Sequence, residues 1–185
     1  MIPVRGKITI IDHDLIEIEN LNRSPLFGIS EIGEPKVIVV SKYLEGHIQT
    51  ESHLGKYDDF IHKNGRKPGD VDIILPEANE YGVRAYIENN FPPIQIYGTT
   101  TMSWGVNYHW HLPLSEEDCS LCRFPLDENQ PGMICSKNII KTESEKRIDA
   151  ALPFLSVSAA VLTVADLIKL QMPGYPFTQN FAFVD

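Results

Sequence analysis

Two apolar, β-branched runs, KITIID at Lys7–Asp12 and VDIILP at residues 71–76, are each followed by a stretch with the composition or spacing of a helix. Strands apolar on both faces belong to sheets covered by helices, and their alternation with helices implies parallel crossovers. The sequence therefore predicts an α/β fold. After the first run, PKVIVVSKYLEG sets Val37, Val40, Tyr43 and Leu44 at helical spacing, with Pro35 at the start and Gly46 near the stop. GHIQTES reads as a second short strand, and residues 53–70 as a weak helix with a Gly/Pro/Asn loop. EANEYGVRAYIENNF has helical composition despite Gly82. PIQIYGTTT and VNYHWHLP read as strands, the second alternating and so antiparallel or at an edge. Residues 112–140 form a loop-rich excursion holding all three cysteines, and a helix from Ile148 to Met172 and a strand in FTQNFAFVD close the chain.

With 185 residues, a single domain over 1–185 is expected. The net charge of −9 repels nucleic acid and anionic membrane, so any phosphate must be met by a local basic cluster. The most apolar run, residues 150–165, contains Ser, Thr and Pro and falls short of the ~20 residues of a membrane span; it reads as a buried helix. Cys119, Cys122 and Cys135 are odd in number, and MIPVRGKITIID lacks the apolar core of a signal peptide. A reduced, cytoplasmic setting is expected.

Chemistry concentrates where the first strand runs out. In open parallel sheets ligands bind beyond the carboxyl ends of strands, and an acid ending a strand commonly bonds ribose hydroxyls. Asp12 has that address. Arg23 and Lys36, thirteen positions apart across a loop leading into a helix, are placed to neutralise phosphate oxygens, and Asn20 to bond phosphate or a metal-bound water. The alternative is that Asp12 and Asp14 cap a turn, Arg23 pairs with an acid, and Lys36 is a solvated first-turn residue.

The stretch IIDHDLIEIENLNRSPLFGISEIGEPK resembles the ThiF/MoeB and ubiquitin-activating-enzyme superfamily, whose signature runs D-x-D, N-L-x-R, G-x-P-K. DVDIILPEANEYGVR looks like the family's next strand and helix, ending in an Arg matched by Arg84, and CSLCRFP like its C-x-x-C-x-[FY]-P segment. The resemblance implies a Rossmann-like, mostly parallel sheet with an antiparallel extension. It also implies ATP-dependent adenylation, with magnesium, of the C-terminal carboxylate of a ubiquitin-like or sulfur-carrier protein, and a homodimer or hetero-oligomer. Asp12 and Asn20 would then hold nucleotide, Arg23 and Lys36 would stabilise phosphate charge, and Cys119 and Cys122 would be half of a zinc site.

The chain departs from that pattern in three places. The family's first strand, glycine-rich loop and helix have no counterpart before Lys7, so the first βα unit is expected to be missing, the chain being a fragment or completed by another chain. Asn79 stands at the family's magnesium-binding Asp, which removes a charge, with Glu77 or Glu80 as substitutes. No second cysteine pair follows. The alternative function is a non-catalytic subunit or scaffold that binds a carrier or pairs with an active subunit. A nicotinamide dehydrogenase would need a glycine fingerprint and has no use for N-L-N-R.

Overall fold

The structure is a computed structural model that describes residues 6–77, 81–90, 92–100, 105–111, 139–141, 147–149, 153–174 and 181–184. Its contacts divide the chain into two units, Met1–Arg66 and Lys67–Asp185.

In the first unit the expected strand is β1 (Lys7–Asp12), paired in parallel with β2 (Gln49–Leu54) from Lys7 opposite Gln49 to Asp12 opposite Leu54. Helix α1 (Lys36–Leu44) makes the crossover, and Pro35, which has no N–H to leave unbonded, caps its start. It buries Val37 and Val39, while Tyr43 is half-exposed. The buried face is thus rotated from the one that the Val37, Val40, Tyr43, Leu44 spacing predicts. Polar contacts help to set that rotation: the Ser52 hydroxyl on β2 donates to the Val37 carbonyl at 3.2 Å and also bonds the Ser41 hydroxyl. Helix α2 (Tyr57–Asn64) ends at Gly65, whose φ of 64° is the left-handed stop that favours glycine. Phe60 of α2 is buried against the edge of His53, and the Arg66 guanidinium lies over its ring.

The second unit holds β3 (Ile73–Ile74), α3 (Tyr81–Asn89), β4 (Ile94–Thr100), β5 (Val106–His111), a small hairpin of β6 (Ile139–Lys141) and β7 (Arg147–Asp149), helix α4 (Pro153–Lys169) and β8 (Phe181–Val184). Its main sheet runs β3-β4-β5-β8, with β3 parallel to β4 and the other two pairings antiparallel. The described strands therefore make two parallel and three antiparallel pairings, a mixed rather than mostly parallel arrangement. Parallel pairing occurs where α1 or α3 links the two strands; beyond β4 the neighbours run back alongside one another.

Three expectations are corrected. The run at 71–76 gives only a two-residue strand, since Pro76 has no N–H for a ladder. β5 lies between β4 and β8 and is antiparallel to both, the first of the two alternatives that its alternation allows. Arg147–Asp149 are strand, and the last helix begins at Pro153, where the fixed φ and missing N–H suit a first helical residue. That helix is not buried all round. Leu155, Ala159, Thr163 and Asp166 are covered, whereas Phe154, Val157, Val161, Val164 and Ile168 are exposed.

The core of this unit lies between α4 and one face of the sheet, where Ile96, Tyr108 and Trp110 meet Leu162, Leu167 and Leu170, and Val106 meets Leu155 and Ala159. The Tyr108 hydroxyl donates to the buried Asp166 carboxylate, whose other oxygen pairs with Lys169 at 2.7 Å. The opposite sheet face carries Gln95, Tyr97 and His109, all buried, with Arg84 of α3 stacked 5.1 Å over Tyr97. Helix and strand approach most tightly at Gly98, where a Cβ would lie 3.0 Å from the Ala159 Cβ and 3.1 Å from its carbonyl oxygen. Gly98→Ala should therefore force α4 outward and cost about 1–3 kcal/mol in chemical denaturation. Gly82→Ala in α3, whose new Cβ meets nothing within 4 Å, should instead stabilise by about 0.5–1 kcal/mol.

Candidate functional site

The carboxyl end of β1 is built by a loop that leaves at His13 and returns at Pro35. Its two ends are stitched together: Ile16 N–H donates to the Glu34 carbonyl at 2.8 Å, Gly33 N–H to the Ile16 carbonyl at 2.8 Å, and Lys36 N–H to the Asp14 carbonyl at 3.1 Å. Leu15 and Pro35 form an antiparallel bridge, and Ile16 is buried beneath it. Gly33 turns with φ of 93°, which a side chain would resist. The stitching places the first residue of α1 directly beside the end of β1.

Within this frame the Lys36 ammonium meets the Asp14 carboxylate at 2.6 Å, and the His13 ring lies 3.6 Å from the other Asp14 oxygen. The hydrogen bond from Lys36 is the main reason that the Asp14 carboxyl titrates below its ordinary range; partial burial opposes it, and the charges of Lys36, His13 and Arg23 add to it. Arg23 therefore shares this corner. Asp12 turns its carboxylate to the Asp14 N–H at 2.9 Å, and its carbonyl accepts the Gly55 N–H just beyond β2. The end of β1 thus carries two acids, with Lys36 bonded to Asp14 and the Arg23 charge acting on the same carboxylate.

Asn20 is buried and faces inward. Its side-chain oxygen accepts the Glu17 N–H at 2.9 Å, and its carbonyl accepts the N–H groups of Arg23 and Ser24, so it shapes the short 3-10 turn Ile18–Asn20 that delivers Arg23. Its position in N-L-N-R is that of a positioning residue. Asp14, a turn cap in the alternative reading of the sequence, is the acid on which Lys36, His13 and the Arg23 charge act. The signal was the D-x-D spacing itself, since the residue two beyond a strand end on the same side faces whatever the returning loop brings. Asn79, Cys119 and Cys122 lie outside the described residues.

The ligand-type atoms of Asp12, His13 and Asp14 lie within 4.8 Å of one another, and carboxylate oxygens suit a hard cation. Lys36 already occupies one Asp14 oxygen.

A second polar feature sits in the other unit, where β3 parts from β4. Glu77 follows the strand and takes a hydrogen bond from the Gly98 backbone. The residue keeps an exposed face, yet protein surrounds it on most sides; the resulting desolvation raises its pKa to about 7, against the opposing pull of the Gly98 bond and the Arg84 charge.

A parallel βαβ unit with its charged side chains gathered beyond the carboxyl end of the first strand defines an α/β protein whose polar chemistry sits at a strand end. The ThiF family profile matches residues 4–172, and the chain belongs to that family. Among solved structures, E. coli MccB crystallised with MccA matches with a TM-score of 0.65 and 22% identity over 97% of this chain and 53% of that one. E. coli MccB with ATP matches with a TM-score of 0.60 and 24% identity, over 89% and 48%. PaaA matches with a TM-score of 0.59 and 14% identity, over 97% and 61%. The chain thus spans about half the length of the solved MccB chains. No curated protein matches it.

Two titrations check these assignments. Lys36→Met should raise the Asp14 pKa toward 3.8, read by NMR; in the native chain the stabilisation from this pair is present above 3.8 and is lost as pH falls through the depressed value. Glu77 has the opposite sign: its raised pKa makes the fold lose stability as pH rises from about 4.5 to 7, and Glu77→Gln should flatten that slope in denaturation curves.

Proposed function

We propose that this chain carries out, or forms part of, ATP-dependent adenylation of the C-terminal carboxylate of a ubiquitin-like protein, a sulfur carrier or a related peptide. The observation that carries this reading is the corner at the end of β1 where Lys36 is bonded to Asp14 and the Arg23 charge acts on the same carboxylate, in a member of the ThiF family. The MccB structures were obtained with ATP and with MccA, which supports a nucleotide and a peptide as the two substrates.

In the proposed reaction the substrate carboxylate attacks the α-phosphorus of ATP, an acyl–adenylate forms, and pyrophosphate leaves. Negative charge grows on the bridging and non-bridging phosphate oxygens. Arg23 and Lys36 stabilise it as fixed cations that need no reorganisation, because the stitched loop and Asn20 hold them before substrate arrives. Lys36 exchanges its Asp14 partner for phosphate, and Asp14 keeps it aimed until then. Asp12 binds the ribose hydroxyls, with Asn20 supporting the nucleotide site from beneath. Magnesium would neutralise phosphate charge; oxygens of Asp12 and Asp14 are proposed donors at the end of β1, and Asn79 is proposed as a metal ligand from its place in the sequence alone. Cys119 and Cys122 are proposed as part of a zinc site. The proposed setting is the cytoplasm, and the proposed assembly a homodimer or hetero-oligomer. Among the described residues no helix is long and apolar enough to cross a membrane.

The second reading, a non-catalytic subunit that holds a carrier or an active partner, draws on Asn79 at the position where the family has a charged metal ligand. ATP–pyrophosphate exchange separates the two. The enzyme reading expects exchange that depends on carrier and falls at least about 100-fold in Arg23→Ala. Tight carrier binding with no exchange supports the second reading.

A further inference from the structure

The loop that leaves β1 at His13 and returns at Pro35 shows apolar side chains to solvent. Leu15, Ile18, Leu26, Ile29 and Ile32 are all exposed, and Ile29 at 80% and Ile18 at 66% are the most exposed large apolar side chains among the described residues. The backbone gathers them. Ile16 is buried, so on this extended arm its neighbours Leu15 and Glu17 face outward; the bonds of Ile16 to Gly33 and Glu34, with the Leu15–Pro35 bridge, lay that arm beside the one that follows Ile32. Ile32 N–H donates to the Ile29 carbonyl at 3.4 Å across a 3-10 turn, where residues three apart eclipse, so Ile29 and Ile32 share a side. From Leu15 to Glu34 the charged residues are Glu17, Glu19, Glu31 and Glu34 against Arg23, and Glu17 and Glu34 are exposed on the two arms. The loop is an apolar surface edged with negative charge and fixed at both ends.

We propose that this loop surface receives the segment that precedes the terminal carboxylate of the substrate protein or peptide, and that the segment combines apolar with basic side chains. The inference rests on the adenylation reading and adds to it what the substrate's tail must carry. Asp14 and Lys36 close the base of the loop, and Arg23 belongs to it. A carboxylate brought to these cations leaves its preceding residues to cross the surface that adjoins them, and about four to six extended residues reach roughly 13–20 Å from the corner. The adjoining surface in the same unit is the loop itself. Backbone bonds already order it, so docking there requires little further ordering of the protein.

Charge selects the occupant. A wholly apolar segment would desolvate Glu17 and Glu34 without pairing them, and an acidic one would be repelled. Two copies of the loop placed face to face would oppose like charges, in a chain whose net charge is already −9. Nucleic acid and anionic lipid are repelled for the same reason. Apolar side chains with lysine or arginine among them meet both demands, because the long basic stems cover apolar surface while their charged heads reach the acids at its margin.

The test is fluorescence anisotropy of the full chain, without ATP, using labelled peptides of about twelve residues, ~40 Å when extended, in which leucine and lysine are interspersed before a terminal glycine. The lysine peptide should bind at least about tenfold tighter than the same peptide with glutamate for lysine, and more weakly as salt rises. Ile29→Ser and Ile18→Ser should each weaken it about three- to tenfold with thermal unfolding unchanged, since both side chains are exposed. Glu17→Lys combined with Glu34→Lys should turn the preference toward the glutamate peptide. Val161→Ser, at an exposed apolar position on α4, should leave the affinity unchanged. Equal affinity for the two peptides, a preference that survives the double charge reversal, an equal loss in Val161→Ser, or a dimer of the chain dispersed by Ile29→Ser would overturn the inference. Binding is read here without nucleotide, so ATP–pyrophosphate exchange judges the adenylation reading separately: the expected peptide pattern without exchange supports the docking surface and counts against adenylation by this chain.

Discussion

The double contact between Asp14 and Lys36 is the constraint on which the candidate site depends. One bond joins the main chains, Lys36 N–H to the Asp14 carbonyl, and the other joins the side chains at 2.6 Å. Together they fasten the start of α1 to the exit of β1 and close the intervening loop. A surface ion pair alone contributes little, on the order of 0–1 kcal/mol. Here it is added to a main-chain stitch, the Leu15–Pro35 bridge and the buried Ile16, so the order of the corner comes chiefly from backbone bonding and burial. The charges then have fixed places. That is the condition for electrostatic stabilisation of a developing phosphate charge.

Asn20 and Gly33 serve the same frame from within. Asn20 accepts the Glu17 N–H through its side-chain oxygen and the Arg23 and Ser24 N–H groups through its carbonyl, while Gly33 supplies the backbone turn that returns the chain toward Pro35. The second unit is organised differently, by apolar packing of α4 on β4 and β5 at the close approach of Gly98 and Ala159. Its other sheet face buries Gln95, Tyr97 and His109, with Arg84 of α3 stacked over the Tyr97 ring.

Much of this was legible in the residues. β1, α1, β2, α2, α3, β4 and the antiparallel β5 followed from periodicity, Pro35 and the glycine stops, and the family followed from D-x-D, N-L-x-R and G-x-P-K. What periodicity missed has physical causes. The run at 71–76 is apolar enough for a full strand, but partners and Pro76 decide its length. The apolar stretch at 150–165 reads as core because composition does not distinguish two apolar faces; only the packing shows that one is left open. Asp14 looked like a turn cap because its partner, Lys36, is 22 positions away. Glu77 gave no signal, since its raised pKa comes from protein folded around it.

The most direct test of the nucleotide site is an amide-resolved NMR titration of the chain with ATP and magnesium. The account predicts shifts concentrated at Asp12–Asp14, Arg23–Ser24 and Lys36–Val37, which vanish in Arg23→Ala. Saturable shifts confined to the second unit, or none at millimolar ATP, would contradict a phosphate site at the end of β1.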